Sequence, residues 1–114
     1  MQNKFMVIYV TAPSFEVGEH IARILLEQRL VACANLISPM RSFYTWQGEI
    51  KSDEEVLMIL KTRADLFLEK VIPAIRAIHP YEVPEIIALP IVIGSPDYLD
   101  WIEMVTRSQK KQID

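Results

Sequence analysis

The sequence predicts one α/β domain of the α+β kind, in which a four-stranded antiparallel sheet carries two main helices on one face and a C-terminal helix follows. The first observation is the order of hydrophobic patterns, β-α-β-β-α-β-α, which is that of a split βαβ, or ferredoxin-like, arrangement. The second is the length of 114 residues, a common size for one domain. The third is that no linker, internal repeat or low-complexity segment divides the sequence. Residues 1–114 are therefore predicted to form a single domain.

The N-terminal part has the pattern of a buried strand followed by an amphipathic helix. Phe5 to Val10 is an apolar run rich in β-branched and aromatic residues, which predicts a central strand with both faces covered. Ser14 can act as the N-cap of a helix that extends to about Gln28. Gly18 lowers the helix propensity slightly. The apolar positions of this helix share one stripe and comprise Val17, Ile21, Ile24 and Leu25.

The next two strands are predicted to form an unusually long hairpin. Leu30 to Ile37 is the second strand, which pauses at Ser38-Pro39 and resumes at Arg41 to Trp46. Gly48 supplies a positive φ for the turn, and the return strand extends from Glu49 to Lys61. Both arms exceed the five or six residues of a typical strand. The outer half of the hairpin must therefore extend beyond the domain, where its free edge needs a partner.

A second helix is predicted between Thr62 and His79. Thr62 and Asp65 have the spacing of a capping box at its start. Pro73 lacks a backbone N–H and should interrupt and kink the helix, and the step from His79 to Pro80 should end it. The buried face of this helix is predicted to comprise Phe67, Val71, Ile75 and Ile78.

The C-terminal part predicts a rigid loop at Tyr81 to Pro84, a fourth strand at Glu85 to Leu89 and a short strand piece at Ile91 to Ile93. Ser95 and Pro96 are the expected N-cap and first residue of a last helix. The apolar stripe of that helix is predicted to comprise Tyr98, Trp101, Ile102 and Val105, and the polar tail after Arg107 is predicted to fray. Because both main helices cover the same face of such a sheet, the other face needs the last helix or a second chain.

Composition and charge exclude several classes of partner. The formal net charge is −3, and no cluster of basic residues is longer than Lys110-Lys111, so nucleic acid is not expected to bind. The run from Phe5 to Val10 is too short for a membrane span or a signal peptide. The single Cys33 cannot form an intramolecular disulfide, which predicts a reducing, cytoplasmic location. The hydrophobic share of 51% favours an oligomer, because a small domain has little interior in which to bury it.

Motifs of catalysis are absent from the sequence. It contains no Walker loop, dinucleotide-binding glycine turn, CxxC pair, HExxH sequence or nucleophile elbow. Only three glycines are present, so a backbone cradle for phosphate is not expected. These observations predict a protein that is not an enzyme.

Individual reactive residues have both a structural and a functional interpretation. Cys33 is either a small buried side chain or a soft ligand, and a reactive thiolate would need a cation such as Lys61 or His79 nearby. His79 is either a residue that hydrogen-bonds at a helix end or a metal ligand or proton carrier. His20, flanked by glutamates, is predicted to lie on a solvated surface.

Charged and aromatic side chains of the hairpin are predicted to be exposed or to contact other chains. The acidic run from Asp53 to Glu55 has the character of a solvated face or of edge-strand protection. Tyr44, Trp46 and Trp101 are large amphipathic rings suited to interface packing. Trp46 lies at the hairpin turn, where an uncovered ring is costly, so we expect it to pack on a neighbouring chain.

Five segments together resemble the divalent-cation tolerance family CutA. They are LVACANLI at residues 30–37, YTWQGEI at 44–50, MILKT at 58–62, HPYEVPEI at 79–86 and YLDWI at 98–102. The resemblance covers residues 5 to 105 in the same order and spacing. It implies a ferredoxin-like domain in a homotrimer, with long hairpins paired between subunits. It also implies an architecture similar to that of the PII signalling proteins, and an association with copper and other divalent cations.

The metal residues of the family are matched only in part. Some bacterial members have Cys where this sequence has Val10, and His where it has Ile78. His79 alone remains of that set. Copper and zinc favour several nitrogen or sulfur ligands, so binding is expected to be weak and to draw ligands from more than one subunit.

The residues and the resemblance together predict a ligand-binding cleft between subunits, lined by Cys33, Trp46, Lys61, His79, Tyr81, Glu85 and Trp101. Lys61 is expected to meet a small anionic molecule, and His79 with Glu85 to bind copper or another divalent cation weakly. One alternative is a cofactor-independent enzyme, with His79 or Glu85 as the general base and Lys61 as a stabilising charge. Another is a structural trimer that anchors partner proteins.

Overall fold

The structure, a computed structural model, describes residues 3–107. Its regular elements are β1 (Phe5–Ala12), α1 (Phe15–Glu27), β2 (Cys33–Trp46), β3 (Glu49–Arg63), α2 (Ile72–Ile78), β4 (Ile86–Pro90) and α3 (Pro96–Thr106). All neighbouring strands are antiparallel, and their order across the sheet is β2-β3-β1-β4. This is the order of a split βαβ arrangement, so the predicted fold class is confirmed. The tail after Arg107 lies outside the described residues.

The main hydrophobic core lies between one face of the sheet and the helices α1 and α2. Successive side chains of a strand point to opposite faces, and the even-numbered positions of β1 and β3 are the ones that are buried here. The fully buried residues of this core are Ile8, Val10, Ile21, Leu25, Met58, Leu60, Val71 and Ile75. Both main helices therefore cover the same face, as the sequence predicted.

Helix α1 begins and packs as the sequence predicts. The Ser14 hydroxyl accepts a hydrogen bond from the backbone N–H of Val17 at 3.2 Å, which is the predicted N-cap. Gly18 is buried against β2, and a Cβ added there would lie 3.2 Å from Cδ2 of Leu36. The glycine lowers helix propensity but permits this close approach of helix and strand.

The hairpin of β2 and β3 extends well beyond the rest of the domain, as predicted. β1 pairs with β3 only from Val56 to Arg63, so residues 49–55 pair with β2 alone. The molecule is 57 Å long and only 31 by 23 Å across. The predicted pause at Ser38-Pro39 is a register shift between Ile37 and Met40 within one continuous strand. Gly48 has a φ of +81° in the turn, as its position required.

The capping box predicted at Thr62 is wrong. Thr62 is fully buried in β3, and its hydroxyl donates a hydrogen bond to the backbone oxygen of Leu30 at 2.6 Å. A 3₁₀ turn at Ala64–Leu66 follows the strand, and its N-cap, Arg63, makes no side-chain capping bond. The extended backbone therefore continues past the predicted helix start, because the Thr62 side chain fills an inward position of the sheet.

The second helix is interrupted where Pro73 predicts. A π-helical segment at Phe67–Val71 precedes α2, and the N–H of Ile72 bonds to the oxygen of Phe67, five residues earlier. Pro73 lies in the first turn of α2, where its missing N–H leaves no regular helical bond broken. Val71 and Ile75 of the predicted face are fully buried, and the helix ends at Ile78, before His79.

The strand piece predicted at residues 91–93 is absent from the described structure. The N–H of Ile91 bonds to the oxygen of Phe5 at 2.9 Å, but residues 91–95 form no strand. Val92 and Ile93 are 80% and 86% exposed. Their apolar pattern is that of a strand, but no neighbouring backbone within the described chain pairs with them.

Helix α3 begins at Pro96 as predicted, although Ser95 makes no side-chain capping bond. Its predicted stripe is only half correct. Ile102 is fully buried and Val105 packs beside it, whereas Tyr98 and Trp101 are 40% and 38% exposed. The reason is that α3 packs onto Phe5 and Ala32 through Leu99 and Ile102. Each of these two residues follows one of the rings in sequence, so the rings lie beside the packed stripe.

The second face of the sheet is covered by α3 only at one end. The remainder, called here the open face, carries the odd-numbered side chains of β1, β3 and β4. Ile37, Ile87 and Leu89 on this face are each about 50% exposed. Among residues 3–107, no helix is long and apolar enough to cross a membrane.

We predict that Thr62→Val lowers the free energy of unfolding by about 1–3 kcal/mol, because it removes the buried hydroxyl that donates to the backbone oxygen of Leu30. Thr45→Val, at an exposed position of β2, is the control and should change it by less than about 0.5 kcal/mol. Urea unfolding monitored by circular dichroism measures both. Equal effects would contradict the assigned role of Thr62.

Candidate functional site

A cavity of about 640 Å³ lies between the outer hairpin and the loop that precedes β4. Cavities of roughly 300–1,000 Å³ hold small molecules in proteins. The lining residues come from the end of β1, from β2 and β3, and from the loop. They are Thr11, Tyr44, Trp46, Lys51, Asp53, Glu55, Pro80, Tyr81, Glu82, Val83 and Glu85.

The register shift in β2 determines which side chains reach this cavity. Before it, the odd-numbered residues Cys33 and Asn35 lie opposite the odd-numbered positions of β3. The shift inserts one residue, so beyond it Tyr44 pairs with Lys51 and Ser42 with Asp53. An inserted residue moves alternate side chains to the other face of the sheet. The even-numbered residues of outer β2 therefore share a face with Lys51, Asp53 and Glu55.

Two tyrosine–carboxylate hydrogen bonds connect the walls of the cavity. Glu55 accepts a hydrogen bond from the Ser42 hydroxyl at 2.7 Å and from the Tyr81 hydroxyl at 2.6 Å. Tyr44 donates its hydroxyl proton to Asp53. The bond from Tyr81 joins the loop to the hairpin, so the two walls are held at a fixed separation.

The environment changes the ionisation of both tyrosines. Burial raises the pKa of Tyr81 above its usual value, and the Glu55 carboxylate that accepts its proton raises it further. The pKa of Tyr44 is raised mainly by its hydrogen bond to Asp53. Both rings therefore remain neutral hydrogen-bond donors at physiological pH.

His79 anchors the loop from behind the cavity and does not line it. The ring is 7% exposed, and its Nε2 lies 2.8 Å from the backbone oxygen of Thr11. Its Nδ1 accepts a hydrogen bond from the backbone N–H of Tyr81 at 3.1 Å. A nitrogen that accepts from an N–H cannot carry a proton, so the ring is the neutral tautomer with its proton on Nε2. Both nitrogens are therefore used in positioning the loop.

The cavity is predominantly acidic. Its lining contains four carboxylates, Asp53, Glu55, Glu82 and Glu85, and one basic side chain, Lys51. The ammonium of Lys51 lies 3.2 Å from a carboxylate oxygen of Glu49, so its charge is already balanced. The field in the cavity therefore favours cations.

The other predicted site residues form a second group at the α3 end of the open face. Cys33 and Lys61 lie directly opposite each other on β2 and β3. The Lys61 ammonium donates a hydrogen bond to Oδ1 of Asn35 at 2.7 Å. Tyr98 adjoins this group, since burial and the neighbouring Cys33 raise its pKa, and its ring centroid lies 5.6 Å from that of Trp101.

The seven predicted cleft residues thus fall into two groups within one chain. Trp46, Tyr81 and Glu85 line the acidic cavity, with His79 behind it, whereas Cys33, Lys61 and Trp101 belong to the second group. Glu55 and Lys61 are six residues apart on β3, roughly 20 Å along an extended strand. That a neighbouring subunit joins the two groups into one cleft stays a prediction.

A metal site is not formed within one chain over residues 3–107. No group of three or more His, Cys, Asp and Glu side chains converges there in a way that could hold a metal ion. His79 offers no free nitrogen, and the oxygens of Glu55 already accept hydrogen bonds. The donors that residues 3–107 of a single chain offer therefore do not fit copper or zinc.

Comparison with known proteins identifies the family. The family model described as CutA1 divalent ion tolerance protein matches residues 6–105. The chain belongs to the CutA1 divalent ion tolerance family. It is 47% identical over 96 residues to the divalent-cation tolerance protein CutA of Thermus thermophilus, which covers 84% of this chain and 92% of that protein. The mouse protein CutA is 47% identical over 104 residues, or 88% of this chain, but the match spans only 56% of the mouse protein.

Solved structures of the family have the same fold. CutA1 from Oryza sativa superposes with a TM-score of 0.89 at 39% identity, covering 94% of this chain and 97% of that one. The structure named periplasmic divalent cation tolerance protein CutA from Archaeoglobus fulgidus superposes with a TM-score of 0.87 at 44% identity, covering 90% and 99%. The predicted resemblance to CutA is therefore confirmed.

Sequence reasoning assigned Asp53 and Glu55 to a solvated face and did not connect them with Tyr44, Tyr81 or Thr11. The structure brings all five to one cavity. The alternation of side chains along β3 places Asp53 and Glu55 on one face of the sheet and Glu54 on the other. The sequence pattern does not reveal where the extra residue in β2 is inserted, so it does not predict which β2 side chains share the face of Asp53 and Glu55.

We predict that the free energy of unfolding of Tyr81→Phe falls less steeply with rising pH in alkaline solution than that of the wild type. The folded state holds the pKa of Tyr81 above that of the unfolded chain. The resulting stabilisation is therefore complete below about pH 10 and is lost as the pH rises through the folded-state pKa. At neutral pH the substitution should lower the free energy of unfolding by about 1 kcal/mol, through loss of the bond to Glu55.

Urea unfolding between about pH 8 and pH 11 provides the measurement, because this range brackets the usual tyrosine pKa. Tyr9→Phe is the control, since Tyr9 makes no side-chain hydrogen bond among the described residues. A Tyr81→Phe curve parallel to that of the wild type would show that Tyr81 does not contribute to the alkaline loss.

Proposed function

We propose that the protein is a homotrimeric binding protein that takes part in divalent-cation tolerance and holds its ligand in clefts between subunits. The observation that carries the proposal is the open face of the sheet. Ile37, Ile87 and Leu89 are half exposed there although they lie in the middle of strands. A contiguous apolar sheet face that remains uncovered is typical of an assembly interface.

Unpaired backbone supports the same assembly. Among residues 3–107, the outer part of β2 has no partner strand on one side, and β4 forms the other edge of the sheet. Beyond β4, Val92 and Ile93 have the pattern of a strand and are almost fully exposed. Exposed edges of this length are covered in native proteins, and pairing with a second copy of the chain covers them. Such pairing would also give the arrangement predicted from the likeness to PII proteins, and would cover Trp46.

We predict that light scattering returns a mass of about 40 kDa, three times the chain mass of 13.2 kDa. Ile87→Glu places a charge on the open face and should dissociate the assembly, because burying an unpaired carboxylate costs several kcal/mol. Leu68→Glu is the matched control: Leu68 is 72% exposed, but it lies on the helical layer and should leave the mass unchanged. A monomeric wild type at micromolar concentration would refute the proposed trimer.

We propose a binding role rather than catalysis. The enzyme alternative needs a base with a free nitrogen or oxygen facing the substrate. His79 is nearly buried with both nitrogens bonded, and Lys61 lies in the second group, away from Glu85. These contacts support the binding role over the alternative with His79 as base. A structural trimer that anchors partner proteins remains the other alternative, and the cytoplasmic location stays a prediction.

Copper binding at His79 and Glu85 stays a prediction, and it requires that a ring nitrogen of His79 gives up its present hydrogen bond. The ring can bind a metal only if Nδ1 gives up the Tyr81 N–H or Nε2 loses its proton and its bond to Thr11. Either loss opposes metal binding, and the remaining ligands must come from another subunit. Weak binding is therefore expected.

We predict that calorimetric titration with Cu²⁺ gives a dissociation constant of about 10 μM or weaker, and that His79→Ala abolishes the binding while the mass of the assembly is unchanged. His20→Ala is the control, because His20 is exposed on α1. Equal copper binding by the wild type and His79→Ala would leave His79 with a positioning role only.

A further inference from the structure

Helix α3 is joined to the rest of the domain by a small apolar contact of its own. The cluster beneath it consists of Ile102, Phe5 and Ala32, and no residue of α3 belongs to the main core between the sheet and the helices α1 and α2. The chain that leads into α3 adds little to this contact, since residues 92–98 are all exposed. Regions with few buried apolar contacts can open locally while the rest of a protein stays folded.

The last turn of α3 is held by guanidinium groups from two other parts of the chain. Arg29, which follows α1, donates from Nη1 to the backbone oxygen of Val105 at 3.2 Å. Arg63, the last residue of β3, donates from Nη2 to the backbone oxygen of Thr106 at 3.2 Å and from Nε to its hydroxyl at 2.9 Å. Carbonyls in the last turn of a helix lack helical partners and carry partial negative charge, so cations stabilise them. Both arginines therefore hold the same end of α3.

The guanidinium of Arg63 is oriented by partners on two sides. Both carboxylate oxygens of Asp65 accept from its Nη1, at 2.8 and 3.1 Å. The hydroxyl of Thr106, a residue only 2% exposed, accepts from Arg63 and donates to the backbone oxygen of Ile102 at 2.7 Å. The Arg63 side chain is 16% exposed. Loss of the Thr106 hydroxyl would therefore leave one of its N–H groups unsatisfied while α3 is docked.

Arg29 occupies a backbone position that glycine normally fills. Its φ is +59°, in the left-handed region that glycine enters without strain and other residues do not. Its N–H bonds to the oxygen of Leu26, and the N–H of Leu30 bonds to the oxygen of Leu25, which is the Schellman motif at the end of α1. Such strain persists where the surrounding structure requires the residue. The bond to Val105 is the one side-chain hydrogen bond of Arg29 among residues 3–107, so this contact accounts for an arginine here.

We propose that α3 is a latch, held at its C-terminal end by Arg29 and Arg63, which opens as a unit while the main core stays folded. Opening uncovers the residues of β1 and β2 beneath the helix, and it moves the rings of Tyr98 and Trp101 away from Cys33. The latch therefore controls the geometry of the second group of predicted cleft residues. All of these contacts lie within one chain, so the inference goes beyond the proposed function and does not rest on it.

Native-state hydrogen exchange of the full chain, measured by mass spectrometry on peptides, tests whether α3 opens independently. In the wild type, amides of α3 should be protected about a hundredfold less than amides of β1 and β3. Exchange of α3 should change little in low urea, because a local opening exposes little surface, whereas exchange of the two strands should rise with urea. Equal protection and equal urea dependence in α3 and in the strands would overturn the latch.

Arg29→Gly tests the guanidinium at the left-handed position. The substitution removes the bond to Val105 and relieves the backbone strain, but the strain is relieved whether α3 is docked or open. Protection of α3 should therefore fall about tenfold, through loss of a hydrogen bond from a charged donor. Gln47→Gly is the matched control, because Gln47 has a φ of +52° at the tip of the hairpin, and its replacement should leave the protection of α3 unchanged. Equal protection of α3 in the wild type and in Arg29→Gly would overturn the role of Arg29.

Thr106→Val tests the contact with Arg63 without removing the guanidinium. It keeps the branched side chain but removes the hydroxyl that accepts from Nε, so the protection of α3 should fall about fivefold. Thr45→Val, at an exposed position of β2, is the control and should leave this protection as it is in the wild type. If Thr106→Val also leaves it as in the wild type, the role of Arg63 is overturned.

Light scattering on the same samples separates the latch from the proposed assembly. A trimer in which α3 and the core strands exchange together overturns the latch alone. A monomer in which α3 opens independently overturns the assembly and supports the latch.

Discussion

The single residue inserted in β2 between Ile37 and Met40 is the constraint on which the rest of the site depends. Without it, the aromatic residues of the outer hairpin would point to the face opposite Asp53 and Glu55, and no cavity with mixed walls would form. With it, Tyr44 and Trp46 share a face with the carboxylates. A local change of register thus converts a long, polar hairpin arm into one wall of the cavity.

The opposite wall depends on His79. The ring is nearly buried where α2 ends, and its two hydrogen bonds fix the loop relative to the end of β1. The hydroxyl of Tyr81 then reaches Glu55 and joins the loop to the hairpin. His79, for which the sequence allows a role as metal ligand or general base, therefore positions the loop within one chain. The tyrosine and carboxylate side chains of the cavity are connected across this wall, because the histidine holds the loop that carries Tyr81.

The open face is the part of the sheet that the domain's own helices leave uncovered. The helices α1 and α2 cover one face of the sheet, but α3 covers only one end of the other, near Phe5 and Ala32. Apolar side chains in the middle of strands remain half exposed as a result. The acidic cavity and the group around Cys33 lie at opposite ends of this face. Assembly through the open face would bring groups from different chains together, which a single domain of this topology cannot do.

The sequence by itself determined the fold class, the order of elements, the overhanging hairpin, the Ser14 cap and the interruption at Pro73. Those features depend on local periodicity, on proline and glycine geometry and on the family's motifs. The tertiary structure alone decided that Thr62 belongs to a strand, that residues 91–93 lack a partner, that Tyr98 and Trp101 lie outside the packed stripe, and that Asp53 and Glu55 face tyrosines. These outcomes depend on contacts between residues distant in sequence, because packing and register determine which side chains meet, and a one-residue shift is enough to exchange the faces of a strand.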